Sequence, residues 1–325
     1  MAIGAGIGAQ LGIAAETTFN TGVTVTRFYE FTNENLNYNK KTQVGLGLRA
    51  GGQLPRAQRR VVTTFDGGGD INLDLPTRGL GLLLSQAMGT APAGTLVSTG
   101  VYSYTFTLGD VYGKSFTTQV GVPQYNGTVT PKTLTGCKIQ SFELGVTNGG
   151  LATGKFTVDA AGVVTSTALA TASYPVNGSI FNFAQGAITI DGSTVANIKD
   201  FSVAVDNALK QDRYTLGGLG AKSEQTISGF RKITGKLTAE FTDTTLMAKY
   251  FADASAAIVV TFTGSTIAST YKDTLTITIP AAKLNGDTPN VQGAGVVDLA
   301  VTFEAYDDGT NPPLTVFYQT SEATL

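Results

Sequence analysis

Two stretches of this chain run in parallel 166 residues apart, and that repetition limits the available folds more than any other feature. Around Gly51 and Gly52 the chain reads LGLRAGGQLPRAQRRVVTTFDGGGDINLDLPTRGLGLLL; around Gly217 and Gly218 it reads DRYTLGGLGAKSEQTISGFRKITGKLTAEFTDTTLMAKYF. At the same offset Gly69 meets Gly235, Ile71 meets Leu237, Leu75 meets Phe241 and Leu80 meets Leu246. A chain with 40 glycines in 325 residues matches some glycines by chance. Here the apolar positions agree as well, as does the order of glycine-rich arm, alternating strand, polar stop and short helix. One small domain used twice explains both. The period is too long for a solenoid, whose units run to roughly 20–50 residues. The length suits two domains, each able to bury a core. The join falls in the Ala/Thr-rich stretch 161–180, so the expected domains are residues 1–170 and 171–325.

Within each half the periodicity is that of strands. Apolar and small polar residues alternate in segments 101–108, 138–146, 155–160, 187–192, 198–207, 236–242, 257–264, 273–279 and 296–306. Period two buries one face and wets the other, as antiparallel sheets require. Asn126-Gly127, Asn148-Gly149, Asn177-Gly178, Asp191-Gly192, Asn285-Gly286 and Asp308-Gly309 supply positive φ for turns between them. Two helices are expected. Residues 77–88 place Leu80, Leu83, Leu84 and Met88 on one face; residues 243–254 open on Asp243 as N-cap and group Leu246, Met247, Tyr250 and Phe251.

Each half also carries a long polar arm, residues 39–64 and 206–232. Connections of this length without structure of their own are uncommon in compact domains unless they are functional or disordered. Spaced apolar residues (Val44, Leu46 and Leu48; Tyr214, Leu216 and Leu219) argue against disorder. An arm that cannot bury them at home buries them on a neighbour, so both arms read as intersubunit elements. The candidate contact residues are Leu46, Leu48, Arg49, Gly51, Gly52, Arg56, Arg59 and Arg60 in the first arm, with Arg213, Tyr214, Leu216, Gly217, Gly218 and Leu219 in the second. The alternative is a long hairpin folded back on its own sheet.

Composition removes most chemistry. There is no histidine, hence neither the usual neutral-pH base nor the commonest metal ligand. The single cysteine, Cys137, lies in a strand-like run and reads as a buried apolar group; it has no disulfide partner within the chain. Gly4-Ala5-Gly6-Ile7-Gly8 and Gly45-Leu46-Gly47 lack the strand, helix and acidic partner of a dinucleotide loop. Asp307-Asp308-Gly309 suits a hairpin turn better than a calcium site. Asp70, Asp74, Glu240, Glu34, Glu143, Asp200 and Glu304 read as wet-face strand residues, and Lys114, Lys132 and Lys138 as outward ones. No catalytic, cofactor or metal site is expected, and the chain reads as a non-enzyme. Only 14 % of residues are charged and the net charge is −2, so a polyanion-binding surface is not expected. The N-terminal stretch lacks the positive charge of a secretory signal, and no apolar run is long enough for a membrane helix; a reducing compartment is expected.

The segment from Gly6 to Leu36 (GIGAQLGIAAETTFNTGVTVTRFYEFTNENL), then LRAGG, FDGGGDINLDL and a helix ending at Gly89, resembles the tail tube proteins of long-tailed bacteriophages. The second half matches more loosely through KDFSVAVDN, LGGLG, ITGKLTAEF and VVDLAVTFEAYDDG. The resemblance implies a mainly β fold: two tandem antiparallel β-sandwich or half-barrel tube domains, each with a short flanking helix and a long arm. It implies a virion protein assembled in the bacterial cytoplasm, joining edge to edge into stacked rings around an inner β-barrel. Its partners would be copies of itself and the tail terminator, tape-measure and baseplate proteins, with phage DNA passing through the lumen unbound. Duplication would make the ring a trimer with pseudo-sixfold symmetry, the alternative being a hexamer decorated by its second domains. Rival readings are a monomeric extracellular β-sandwich binding module or adhesin, a membrane β-barrel, and another phage head or tail part.

Overall fold

The computed structural model describes residues 5–286, 288–291 and 293–325; Gly4 of the glycine-rich start lies outside the described residues. The chain opens with β1 (Gln10–Glu16), β2 (Arg27–Tyr29), β3 (Asn33–Glu34), β4 (Asn37–Val44) and β5 (Arg60–Asp74), followed by helix α1 (Gly81–Met88). Then come β6 (Thr95–Ser98), β7 (Val101–Thr107), β8 (Ser115–Pro123), β9 (Val129–Val146), β10 (Ala152–Ala160) and β11 (Gly162–Val164). After residues 165–179, which carry no strand, follow β12 (Gly186–Ile190), β13 (Ser193–Thr194), β14 (Ile198–Asp206), β15 (Lys232–Glu240) and helix α2 (Thr245–Phe251). The last strands are β16 (Ser255–Ala268), β17 (Tyr271–Gly286), β18 (Asp298–Ala305) and β19 (Thr315–Thr320).

The protein is therefore mainly β, and every strand pairing is antiparallel. Each predicted strand segment falls on a strand. The long ones, β9, β16 and β17, extend well past the alternating cores that announced them. One predicted turn is a strand: Asn285 and Gly286 end β17, opposite Thr302 and Val301. Asn148-Gly149 and Asp191-Gly192 do turn, with Gly149, Asp191 and Gly192 at positive φ. Helix α1 starts at Gly81 rather than residue 77, because Gly79 sits at φ +86 and breaks the helical path; it ends on Gly89 in the left-handed C-cap conformation. In α2 the cap shifts one residue to Thr244, although an Asp243 oxygen still accepts the Thr245 N–H at 2.7 Å.

Pairing follows one path through residues before 165, β2-β1-β8-β9-β10-β5-β4, with β11 beside β9. After residue 179 it runs β13-β12-β16-β17-β18-β15-β14, with β19 beside β17. The two paths are the same, position for position. Registers coincide too: Gly69 lies opposite Val158, and Gly235, 166 residues on, lies opposite Phe303. In the arms Gln43 pairs Val61, and Leu209 pairs Ile227 at the same offset. The hairpin β6–β7 has no counterpart in the later segment; it adds β7 to the outer edge of β19.

The apolar faces of these sheets share one core, into which both halves project aromatic pairs. Phe142 stacks on Phe156 and Phe201 on Phe303, each at 6.2 Å between ring centres. Full burial of such a side chain stabilises by about 1.5–3 kcal/mol. Cys137 is buried at its centre, as expected, and burial pushes its thiol well up. Close packing reserves several strand positions for glycine, among them the equivalent pair Gly69 and Gly235. A Cβ on Gly69 would lie 2.5 Å from the Asn35 side chain; one on Gly235 would lie 2.2 Å from the Phe303 ring and 2.5 Å from the Ser202 carbonyl oxygen. Gly235→Ala is expected to overpack this point and cost about 1–3 kcal/mol in urea unfolding. An unchanged midpoint would show that the ring has room to move.

Candidate assembly surfaces

Four strands of each path lie side by side in a single run, β4-β5-β10-β9-β14-β15-β18-β17. The two halves meet within it along β9 and β14, from Phe201 opposite Val146 to Asp206 opposite Ser141. One face of this run is core. On the other, from Gly68 along β5 and over the facing stretches of the other strands, outside the part that the second arm covers, stand eight carboxylates: Asp70, Asp74, Glu143, Asp200, Asp206, Glu240, Asp298 and Glu304. Five ammonium groups accompany them: Lys155, Lys199, Lys232, Lys236 and Lys283. Lys155 pairs with Asp70 at 3.0 Å, Lys199 with Asp298 at 2.8 Å and Glu240 at 3.1 Å, and Lys232 with Glu304 at 3.4 Å. Exposed pairs of this kind contribute about 0–1 kcal/mol. Their effect is on the surface: polar, cross-linked and slightly acidic. The predicted wet-face carboxylates of β5, β9, β14, β15 and β18 all stand on it.

The run ends in two open edges. Among the described residues, one edge of β4 carries β5 and the other is unpaired, and at the far end Leu284, Asn285 and Gly286 of β17 pair with β18 alone. Unpaired edges invite another chain.

The two arms differ sharply. In the first, Val44 and Arg60 close the β4–β5 hairpin, and beyond them the arm stands in solvent. Leu46 and Leu48 are 76 % and 103 % exposed; Arg49, Arg56, Arg59 and Arg60 are exposed as well. Gly51 turns the tip at φ +69, and the Gly52 N–H donates to the Arg49 carbonyl oxygen at 3.1 Å.

The second arm also has an exposed tip, with Leu216, Gly217 (φ +90) and Leu219 free of cover and Gly218 half-buried. Its flanks, however, lie across the first half. The Phe65 N–H donates to the Gly220 carbonyl oxygen at 3.1 Å, and the half-buried Tyr214 hydroxyl reaches Asp66 at 3.4 Å. Beneath them Lys222 Nζ meets Asp159 Oδ1 at 2.6 Å, and the Gln225 amide donates to Asp159 Oδ2 at 2.7 Å. Lys138 Nζ meets Glu224 at 2.6 Å and donates to the carbonyl oxygens of Val111 at 2.6 Å and Gln225 at 3.0 Å. Arg213 donates to the Glu224 carbonyl oxygen.

Lys138, Asp159, Lys222 and Gln225 are buried. Burial draws the Lys138 ammonium below the ordinary lysine range, opposed by Glu224, and pushes the Asp159 carboxyl up, opposed by Lys222. The expectation that Lys138 faces outward is thus overturned, because the second arm covers it. Sequence reading missed this cluster: its members look like ordinary strand and loop charges until the arm is laid over them. A cation in the middle of β9 opposite an anion near the end of β10 was the one available signal.

Among the described residues no cluster of three or more Cys, Asp or Glu is placed to hold a metal, and no helix is long and apolar enough to cross a membrane. Asp307 and Asp308 cap their own turn: Asp307 accepts the Gly309 N–H, and Asp308 accepts the N–H groups of Thr310 and Asn311.

Open edges and projecting arms are the conspicuous features of this mainly β, antiparallel protein. The sequence model of the family described as phage tail tube protein matches residues 6–305, nearly the whole chain. The chain belongs to that family and is a structural component of a phage tail. No curated protein sequence matches it.

Removing one partner from a buried ion pair leaves the other charge uncompensated, at a cost of about 3–5 kcal/mol. Asp159→Ala is expected to lose that much in chemical denaturation, and adding Lys222→Met to recover more than half of it. Strictly additive losses would place the stabilisation elsewhere.

Proposed function

We propose that the chain assembles into trimeric rings that stack as the tail tube, the conduit through which phage DNA enters the host. The observation that carries this reading is the continuous run of eight strands with an open edge at each end. Joining the edge of β4 on one chain to the end of β17 on the next is a heterologous contact, which closes into a ring when the rotation allows. Three chains bring twenty-four strands. At a strand spacing of ~4.8 Å and a tilt of ~40°, that barrel is about 48 Å across at the backbone, wide enough for a duplex within its lining side chains. Six chains contributing eight strands each would double that diameter, to about 96 Å, whereas a hexamer decorated by its second domains would bring twenty-four strands, like the trimer. The matched pairing paths and registers support two tube domains in one chain, about residues 1–170 and 171–325, and so support the trimer.

The exposed face of the eight-strand run lines the lumen in this reading. Its excess of carboxylates, with lysines held in cross-strand pairs, suits a wall past which phosphates slide; a basic wall would hold them by counterion release. The role is structural rather than catalytic, with assembly in the host cytoplasm and contacts to tail terminator, tape-measure and baseplate proteins.

Electron microscopy of the concentrated protein is expected to show hollow tubes or stacked rings, threefold in end-on views, with a bore set by a barrel about 48 Å across. True sixfold symmetry at a resolution that separates the halves would overturn the trimer. Globular monomers at every concentration would favour a monomeric binding module. Gly51→Val places a β-branched residue at φ +69 in an arm tip with no atom nearby to clash. Monomer melting is expected to stay within about 1 °C of wild type, since a solvated tip adds little to stability, while assembly falls. A lowered melting point would assign that tip to the fold instead.

A further inference from the structure

The seat of the second arm on the first half has an unoccupied counterpart in the second half. The registers that place Gly69 opposite Val158 and Gly235 opposite Phe303 make Asp159 and Glu304 equivalent, one residue further along β10 and β18. Across the next ladder Asp159 faces Lys138, and Glu304 faces Lys283. Cation opposite anion recurs at the same point of the path. In the first half the pair is sealed beneath Lys222, Glu224 and Gln225 of the arm. In the second half it is open: the Lys283 and Glu304 side chains are 32 % and 34 % exposed, held by the exposed Asp253 at 3.6 Å and Lys232 at 3.4 Å. The Tyr306 hydroxyl also donates to Glu304 at 2.9 Å.

The 166-residue offset converts Lys222, Glu224 and Gln225 into Arg56, Gln58 and Arg59 of the first arm. All three are exposed, and Arg56 has no ion pair among the described residues. The chemistry fits: a cation for Glu304 where Lys222 meets Asp159, and an amide oxygen for Lys283 where Glu224 meets Lys138. Within its own chain the first arm lies well away from this seat. It springs from β4 and β5, and β18, which carries Glu304, lies five strand spacings from β5 across the sheet, about 24 Å.

We infer that the first arm docks on the second half of another copy of this chain, with Arg56 on Glu304 and Gln58 on Lys283. The inference rests on the proposed ring and names its junction. The junction between chains then repeats the one already built inside each chain, with the arm folding over the end of β17 and β18 just where the open edges meet.

Charge exchange in the full-length protein tests it, with ring assembly followed by light scattering and microscopy. Arg56→Glu and Glu304→Arg are each expected to raise the concentration needed for assembly at least thirtyfold, roughly the penalty for breaking a desolvated interface pair. The double variant is expected to return to near the wild-type value, and all three to melt as monomers like wild type. Single variants that assemble normally, or a double variant no better than either, would overturn the docking while leaving the ring intact. Wild-type protein that forms no rings would overturn the ring, and this junction with it. A second measurement does not depend on charge variants folding. Arg56→Cys combined with Glu304→Cys is expected to give disulfide-linked oligomers under oxidising conditions, because the two sites are too far apart to bridge within one chain. Absence of cross-linked oligomers from assembled double-cysteine protein would overturn the proposal.

Discussion

The six-residue ladder between β9 and β14 is the contact on which the rest of the architecture depends. Without it each half would present a four-stranded sheet with raw edges on both sides, a hazard that small β proteins must cover or pair. With it the two become one eight-stranded surface with a common core beneath. Phe142 and Leu144 on β9, and Phe201, Val203 and Val205 on β14, all point into that core. The ladder therefore supplies burial as well as hydrogen bonds. Among the described residues, the edge of β4 and the end of β17 stay open at the two sides of that surface.

The second arm reinforces this seam from above. Buried ion pairs are a poor source of stability, because desolvation of two charges consumes most of their attraction. What they supply is position. Asp159 accepts from both Lys222 and Gln225, while Lys138 is surrounded by Glu224 and two carbonyl oxygens, so the arm has one seat rather than a slope of similar ones. In the proposed ring, where the junction would repeat, fixed geometry matters more than a few kcal/mol, since small angular errors accumulate with each copy.

Much of the fold was legible in the sequence because its signals were local. Alternation in IKDFSVAVDN or KLTAEFT reports the two faces of a strand, and the apolar stripe of residues 80–88 reports a helix resting on a core. The single 166-residue offset carried further than composition, since it aligned the arms and the glycines that close packing demands at Gly69 and Gly235. The failures were of another kind. Asn285-Gly286 has turn chemistry, but pairing with β18 holds it extended. Lys138 has the look of a surface lysine until an arm more than eighty residues further on covers it. Nor does alternation say which of two wet faces belongs to a continuous eight-strand surface. That depends on which strands of the two halves become neighbours, a long-range fact without a local signature.

The two halves are alike but not interchangeable, and the difference lies where it affects assembly order. Hairpin β6–β7 belongs to the first half alone, yet β7 pairs along six residues with β19 of the second. Arg27, near the start of the chain, meets Glu322 at 2.7 Å, and the Tyr104 hydroxyl donates to the Glu322 carbonyl oxygen at 2.8 Å. The junction inside the chain thus has a second seam and a tethered carboxy terminus, while any junction between chains has only the strand edges and an arm. Covalent linkage already raises the effective concentration of one half for the other. The added seam makes that junction stronger still. In the proposed ring, strong and weak junctions alternate: each chain folds as a finished two-domain unit, and the weaker contacts form only when copies meet. In that proposed reading a chain stays monomeric while dilute and closes a ring through three contacts instead of six, which would be the physical advantage of writing the domain twice.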